Sequence, residues 1–124
     1  MKKFKNKISF KDKRGIISDL IENENINAVT LITIKKNSIR GNHFHKKTWQ
    51  WNYVIQGKMQ LITQKGNGKK ISTILNQGDL ALVGPYEKHA LVGKKFCKCI
   101  VFTKGPRGGK EYETDTFRLK NPLI

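Results

Sequence analysis

The sequence has few cysteines, and they lack the spacing of a disulfide-rich or metal-binding fold. Its only two, Cys97 and Cys99, are one residue apart in a strand-like run. An extended backbone between them disfavours a disulfide, and a structural zinc site would need further ligands at matching spacing. We therefore predict two reduced thiols with a structural role.

Long apolar runs are also absent. The longest, Ala28 to Ile34 and Cys99 to Phe102, are far shorter than the roughly 18 to 20 residues that a membrane-spanning helix needs. Residues 1–7 are basic, but no apolar segment of about 7 to 15 residues follows them, as it would in a secretory signal. These absences predict a cytoplasmic protein that does not enter membranes.

Acidic residues are scarce, with 9 Asp and Glu against 25 Lys and Arg, so the formal net charge is +16. Such a charge attracts polyanions, which include nucleic acids and the phosphates of a nucleotide ligand. The basic residues are spread along the chain in twos and threes, and most are lysines. We interpret most of them as a solvated surface and do not expect a nucleic-acid partner.

The length of 124 residues and the hydrophobic fraction of 37% fit one globular domain, placed over residues 1–124. Short β-branched and apolar segments recur between turns rich in Gly and Asn, a pattern typical of an antiparallel sandwich or barrel. The predicted strands are 28–35, 58–64, 70–75, 79–83, 89–92 and 96–103. A helical turn is conceivable only at 16–24, where it would be marginal because the segment is short. We predict an all-β fold with a barrel over about residues 28–103.

The segment 105–124 follows this barrel and has two Gly-rich steps before a strand-like stretch at 114–119. We predict that this tail leaves the barrel. It then packs against the outside, crosses to a partner subunit or covers one mouth of the barrel.

The central stretch around His43 and His45 contains the strongest chemical signal. Alternate residues of a strand share a face, so the two imidazoles should converge while Phe44 points the other way. Gln50 lies an odd number of residues after His45, and a turn through 46–48 would bring it back opposite the histidines. We predict that these residues share one cavity.

If Gln50 faces inward, Asn52 and Val54 do so as well. The opposite face of this strand is then an apolar row, made of Trp49, Trp51, Tyr53 and Ile55. Exposed apolar stripes of this size usually mark an interface, whereas a stacking platform for nucleic-acid bases would need interleaved arginines. We interpret the row as core or as the interface of a homodimer.

The spacing of His43, His45, Gln50 and Gly57 resembles the first motif of the cupin superfamily, and Gly78, Pro85 and His89 resemble the second. This resemblance implies a jelly-roll barrel, also called a double-stranded β-helix. In metal-binding cupins, the positions similar to His43, His45, Gln50 and His89 hold one divalent metal, here Zn, Ni, Fe or Mn. A glutamate is usual where this chain has Gln50, and a neutral amide is a weaker ligand than a carboxylate.

A narrower resemblance is to the cupins that act on nucleotide-linked 4-keto-6-deoxy sugars, especially the sugar 3,4-ketoisomerases. It rests on four segments, which are KDKRGIISDLIE (11–22), RGNHFHKKTWQ (40–50), GPYEKH (84–89) and YETDTFR (112–118). The resemblance implies an isomerase or epimerase of surface-polysaccharide biosynthesis that requires no cofactor.

The residues independently suit that chemistry. Moving a ketone between adjacent carbons needs a proton removed and a proton returned, and histidine can do both near neutral pH. We predict His43, His45 and Gln50 as catalytic residues. The guanidinium of Arg40 suits a diphosphate, and Asn52, His89 and Tyr53 complete the predicted substrate-binding set.

Three hypotheses remain open at this point. The first is the isomerase or epimerase of a nucleotide-linked sugar. The second is a metal-dependent cupin, acting as enzyme or sensor, with His43, His45, Gln50 and His89 as ligands. The third is a module that binds a small ligand without turnover, because one fold can serve all three functions. Gln50 favours the first hypothesis over the second.

Overall fold

A computed structural model describes residues 1–4 and 8–124 of the chain. Its regular structure is almost entirely antiparallel β, which confirms the predicted fold class. The strands are β1 (Lys2–Phe4), β2 (Phe10–Asp12), β3 (Gly15–Ile17), β4 (Ala28–Ile34), β5 (Ile39–Phe44), β6 (Trp49–Gln56), β7 (Lys58–Lys65), β8 (Ile71–Asn76), β9 (Leu80–Val83), β10 (Glu87–Gly93), β11 (Cys97–Lys104) and β12 (Phe117–Arg118). A short helix, α1 (Glu111–Thr114), precedes the last strand.

Two five-stranded sheets form the body of the molecule. The first has the order β1-β9-β6-β11-β4, and the second has the order β12-β5-β10-β7-β8. Strands that are neighbours in sequence fall repeatedly into opposite sheets, which is the arrangement of a jelly roll. β2 and β3 form a separate two-stranded hairpin outside both sheets.

The apolar core fills one end of the space between the sheets. It includes Val54, Met59, Leu61, Leu75 and the two cysteines, all almost fully buried. Both thiols are free, as predicted, and burial raises the pKa of the Cys99 thiol to about 12. The cysteines therefore serve as small core residues.

Gly57 joins β6 to β7, and its backbone has a φ of +89°. A Cβ atom placed there would lie 1.9 Å from the carbonyl oxygen of Phe96. Only glycine tolerates both the left-handed conformation and this close approach. The last glycine of the first cupin-like motif is thus required by the packing of the barrel rather than by its chemistry.

Residues 16–24 do not form the marginal helical turn considered for them. Ile16 and Ile17 belong to β3 of the hairpin, and α1 is the only helix among residues 1–4 and 8–124. The β-branched isoleucines favour a strand, and the segment is too short for a stable helix. No helix in the described residues has the length and apolarity needed to cross a bilayer.

Candidate active site

The three histidines of the sequence lie together at the other end of the barrel interior. His43 on β5 pairs in register with His89 on β10, and His45 directly follows β5. The ring centroids are 4.8 Å apart for His43 and His45, 4.7 Å for His43 and His89, and 5.3 Å for His45 and His89. The structure therefore brings the predicted imidazoles into one cluster.

An irregular backbone in β5 places His43 in that cluster. Gly41 and Asn42 have φ values of +88° and +57°, and the pairing with β10 shifts between His89 and Ala90. A Cβ at position 41 would lie 2.9 Å from the carbonyl oxygen of His89. Gly41 lets β5 approach β10 where the two strands each carry a histidine.

The turn after His45 brings β6 back across the barrel, as its spacing predicted. Gln50 and Asn52 on β6 are buried and line the same cavity as His43 and His89. The amide nitrogen of Asn52 lies 3.4 Å from the carbonyl oxygens of Gln50 and Ala81, so its orientation is fixed by the backbone. The two cupin-like motifs also meet directly, because the backbone N–H of Tyr86 donates to the carbonyl of His45 at 2.6 Å.

A cavity of about 440 Å³ opens above the histidines. This volume is within the range of small-ligand sites, roughly 300 to 1,000 Å³. Arg40 and Arg107 both line it, and the lining residues in the described part of the chain include no carboxylate. The Nε atom of Arg40 donates to the carbonyl of Thr33 at 3.2 Å, and that of Arg107 donates to the hydroxyl of Thr30 at 3.3 Å. The cavity is therefore polar at its floor and positively charged at its mouth.

The histidines are held in their neutral form. Burial, together with smaller effects of the nearby His89 and His45, lowers the pKa of His43 to about 3. Burial also lowers the pKa of His89 to about 4, although a hydrogen bond to Glu87 opposes this effect. The pKa of His45 is likewise lowered by burial, against the opposing effect of Asp115. At neutral pH, all three imidazoles can accept a proton.

Two of these imidazoles have a defined tautomer. The Nδ1 atom of His45 lies 2.8 Å from the carbonyl oxygen of Asp115, and that of His89 lies 3.0 Å from the carbonyl oxygen of Glu87. A carbonyl only accepts, so Nδ1 carries the proton and Nε2 presents a lone pair in each neutral ring. The Nε2 atom of His45 is buried without a hydrogen-bond partner. The side chain of Gln50 nevertheless lies close enough to oppose the lowering of the pKa of His45, so His45 presents a buried base beside Gln50.

The tail contributes two lining residues that were not among the predicted site residues, Arg107 and Tyr112. The ring of Tyr112 lies 5.8 Å from the ring of His45 and 6.4 Å from that of His43. The guanidinium of Arg107 lies 4.3 Å from the centre of the Tyr112 ring. The tail therefore covers part of the cavity of its own chain.

Tyr53, one of the predicted binding residues, does not line this cavity. It lies on the outer face of β6 with Trp49, Trp51 and Ile55, as strand alternation requires. Trp51 is buried within the chain, whereas Trp49 and Ile55 are 38% and 39% exposed. Of the predicted residues, Arg40, His43, Gln50, Asn52 and His89 line the cavity, and His45 belongs to the histidine cluster without lining it. Tyr53 is the predicted residue that the structure does not bring to the site.

The donor set also fits a divalent transition metal. The candidate ligand atoms of His43, His45 and His89 lie within 4.8 Å of one another. Neutral imidazole suits Zn, Ni and Fe, and the fixed tautomers of His45 and His89 leave their Nε2 lone pairs available. Such an ion would act as a Lewis acid on a bound oxygen.

The fold and this site define the protein as a cupin with a three-histidine cavity at one end of a jelly-roll barrel. The chain belongs to the family described as the polysaccharide biosynthesis C-terminal domain, whose model matches residues 10–84. No curated protein matches the sequence.

Solved structures share the fold over nearly the whole chain. One is the sugar 3,4-ketoisomerase QdtA from Thermoanaerobacterium thermosaccharolyticum in complex with TDP, with 24% identity and a TM-score of 0.78 over 96% of this chain and 88% of that one. Another is the TDP-quinovose 3,4-ketoisomerase WlaRB from Campylobacter jejuni, with 20% identity and a TM-score of 0.80 over 95% and 92%. A third is the 3,5-epimerase RmlC from Legionella pneumophila in complex with dTDP-4-keto-L-rhamnose, with 11% identity and a TM-score of 0.75 over 94% and 71%.

Proposed function

We propose that the protein is an isomerase or epimerase of a nucleotide-linked 4-keto-6-deoxy sugar in surface-polysaccharide biosynthesis, and that it requires no cofactor. The observation that carries this proposal is the cluster of three neutral histidines at the floor of a cavity with two arginines at its mouth. The family to which the chain belongs supports the pathway. The substrates of the similar structures support the type of reaction.

The reaction begins when a neutral imidazole removes the proton from the carbon next to the ketone. The electron pair of that C–H bond forms an enediolate, whose negative charge lies on the former ketone oxygen. In a 3,4-ketoisomerase, the proton of the neighbouring hydroxyl is transferred to this oxygen, and a proton is returned by an imidazole to the former ketone carbon. The new ketone is thus one carbon away, and no oxidant is consumed.

His43 and His45 supply the two proton-transfer groups in this proposal. The Nε2 atom of His45 is an acceptor inside the cluster, and the adjacent ring of His43, which lines the cavity, can carry a proton to or from the sugar. Gln50, Asn52 and His89 line the floor, where they contact sugar oxygens. Tyr112 lies above them and adds a hydroxyl donor on the tail side of the cavity.

Arg40 and Arg107 hold the diphosphate that links the sugar to its nucleotide. Guanidinium groups bind phosphate through two parallel hydrogen bonds, and none of the cavity-lining residues among 1–4 and 8–124 is a carboxylate that would repel it. The nucleotide then lies outside the mouth, so that the sugar enters toward the histidines.

Hydrogen exchange with solvent tests the proposal. The purified protein is incubated in D₂O with TDP-4-keto-6-deoxyglucose, and NMR follows deuterium entering a carbon beside the ketone. We expect exchange with the untreated protein and an unchanged rate after treatment with a chelator. If no such sugar exchanges, or if the sugar binds without exchange, the isomerase proposal fails and a binding module is favoured.

A metal-dependent cupin is the second candidate, favoured by the converging lone pairs of His45 and His89 and the nearby His43. Elemental analysis of the purified protein and calorimetric titration with Zn²⁺ or Ni²⁺ test it. Stoichiometric metal, together with activity that is lost on chelation and restored by Fe²⁺ or Mn²⁺, would establish this candidate. The variant Gln50→Glu should tighten metal binding, because a carboxylate is a stronger ligand than an amide.

We also propose that the protein is a homodimer. Besides Trp49 and Ile55, the outer surface of the edge strand β4 exposes Val29, which is 63% accessible. In the part of the chain that the structure describes, the β2–β3 hairpin stands apart from both sheets, and Phe10 and Ile17 are more than half exposed. An isolated hairpin is marginally stable, and a free strand edge favours pairing with another chain. A second copy that receives the hairpin near β4 would bury both surfaces.

Sedimentation tests this arrangement. We expect a dimer at tens of micromolar for the unaltered protein, and a shift toward monomer for Val29→Glu. Ile71→Glu is the matched control, because Ile71 lies on another edge strand, β8, and is 56% exposed. A monomeric unaltered protein would exclude the dimer.

A further inference from the structure

The turn between β5 and β6 determines where His45 points. It contains Lys46, Lys47 and Thr48, and it has no regular hydrogen-bonded ladder of its own. A turn of this kind needs partners for its backbone N–H groups, because unpaired buried donors are costly. Those partners come from the tail, almost seventy residues further along the chain.

One tail residue, Asp115, binds the whole turn. Its carboxylate accepts from the backbone N–H of Lys46 at 2.9 Å and of Lys47 at 3.0 Å, and from the hydroxyl of Thr48 at 2.6 Å. Asp115 is itself buried. The carboxylate therefore acts as a three-point support for the turn.

The same residue also sets the tautomer of His45. Its carbonyl oxygen accepts from Nδ1 of His45, so the lone pair is on Nε2 inside the histidine cluster. The two contacts are made by one residue, and a shift of the carboxylate from the turn would also shift the carbonyl from the imidazole.

We infer that Asp115 is a positioning residue for His45. The carboxylate of Asp115 holds the 46–48 turn, so that the carbonyl of Asp115 fixes the Nε2 lone pair of His45 inside the histidine cluster. Asp115 does not touch the substrate in this arrangement. The inference rests on the proposed function for its effect on turnover, whereas its effect on the tautomer can be measured without any substrate.

The test is the variant Asp115→Asn, which has a similar shape but only one acceptor oxygen. NMR of ¹⁵N-labelled imidazoles should show one tautomer of His45 in the unaltered protein and a mixture of both in the variant. The turnover rate should fall by about 10- to 100-fold, the scale of a misplaced catalytic group, with KM changed by less than about threefold.

Glu113→Gln is the matched control, because Glu113 is an exposed carboxylate on α1, the helix that directly precedes Asp115. Among the ion pairs of the described residues, Glu113 pairs with Arg118. It should keep the tautomer and the rate. Thr48→Val removes one donor to Asp115 from the other side, and a smaller change in the same direction should result. It also provides the test if Asp115→Asn does not fold.

Unchanged tautomer and rate in Asp115→Asn, or equal losses in Glu113→Gln, would overturn the inference. If no variant and not even the unaltered protein turns over a keto-sugar, the proposed function fails. The tautomer of His45 would still decide the role of Asp115.

Discussion

The two ends of the barrel interior differ in composition although the same strands build both. On β6, Val54 belongs to the apolar core and Asn52 lines the cavity; on β10, His89 lines the cavity and Leu91, which belongs to the core, forms the boundary between the two regions. The two residues of each pair are two positions apart in the strand, which is a distance of roughly 7 Å, and their side chains share a face. Successive inward-facing residues of one strand thus contribute to different properties, one to the stability of the core and the next to the site. Substitutions at the two ends should therefore have separable effects.

The largest expected effect is on stability at the apolar end. Leu61 is fully buried in the core, so Leu61→Ala should lower the free energy of unfolding by about 2 to 5 kcal/mol, since it leaves a cavity. Denaturant unfolding measures this loss. Activity per folded molecule should stay within about twofold of the unaltered protein. A loss of activity at full folding would show that the two ends are not independent.

The next effect is on catalysis at the polar end. His43→Asn should lower the rate of the keto-sugar reaction by about 100-fold or more, because it removes a proton-transfer group. Such a loss corresponds to about 2.7 kcal/mol of transition-state stabilisation. Thermal unfolding should change little in comparison with Leu61→Ala. Retention of most of the activity would remove His43 from the catalytic set.

The pH dependence of stability should also be specific to the polar end. The folded protein keeps the pKa of His43 at about 3 and that of His89 at about 4, whereas an unfolded histidine titrates near 6.5. The unfolded chain therefore binds more protons between these values, and stability should be complete above about 6.5 and fall progressively as the pH decreases toward 4. Carboxylates with a lowered pKa, such as Asp115, lose their contribution to stability only when the pH falls below their ordinary pKa of 3.8.

Urea unfolding at pH 7.5, 6.5, 5.5 and 4.5 measures how the stability changes over this pH range. The loss of stability should be smaller in His89→Asn than in the unaltered protein, because one titrating group has been removed. The acid limb of kcat/KM should lie below pH 6.5 for the same reason. An acid limb at or above pH 6.5 would contradict neutral, buried histidines.

The smallest effect is expected at the mouth of the cavity. Arg40→Lys keeps the charge but loses the paired geometry with phosphate, so KM for the nucleotide-linked sugar should rise by about 3- to 10-fold with kcat little changed. Steady-state kinetics measures both. An equal change for a sugar without its nucleotide diphosphate would show that Arg40 does not contact that group.

Local sequence patterns were sufficient to predict much of the barrel and of the floor of the site. The alternation of apolar residues predicted the strands, and the spacing of His43, His45 and Gln50 predicted their convergence once a turn was allowed between them. These inferences succeed because a pleated strand has a fixed period of two, so sequence spacing determines the face. The same alternation also placed Trp51 and Tyr53 on the outer face, so it argues against Tyr53 as a binding residue.

The tail residues could not be placed in the same way. Arg107 and Tyr112 reach the cavity in a tail that returns to the barrel through the pairing of β12 with β5. Nothing local in a segment with Gly105, Gly108 and Gly109 specifies that path. The acidic, Tyr-containing stretch around Tyr112 was a signal of function, but its physical role depends on contacts between distant parts of the chain. Tertiary pairing of this kind is not encoded in a periodic pattern.

The link between the β5–β6 turn and the tail has a consequence for synthesis of the protein. Asp115 lies 67 to 69 residues after the turn and 70 residues after His45. Contacts between such distant segments form late because the intervening chain must first be ordered. Translation proceeds from the N-terminus, and domains form as their residues emerge. A nascent chain that has released β4 to β11 but not Asp115 therefore has every strand of the two sheets except β12, and all three histidines, yet the imidazole of His45 is still free to adopt either tautomer.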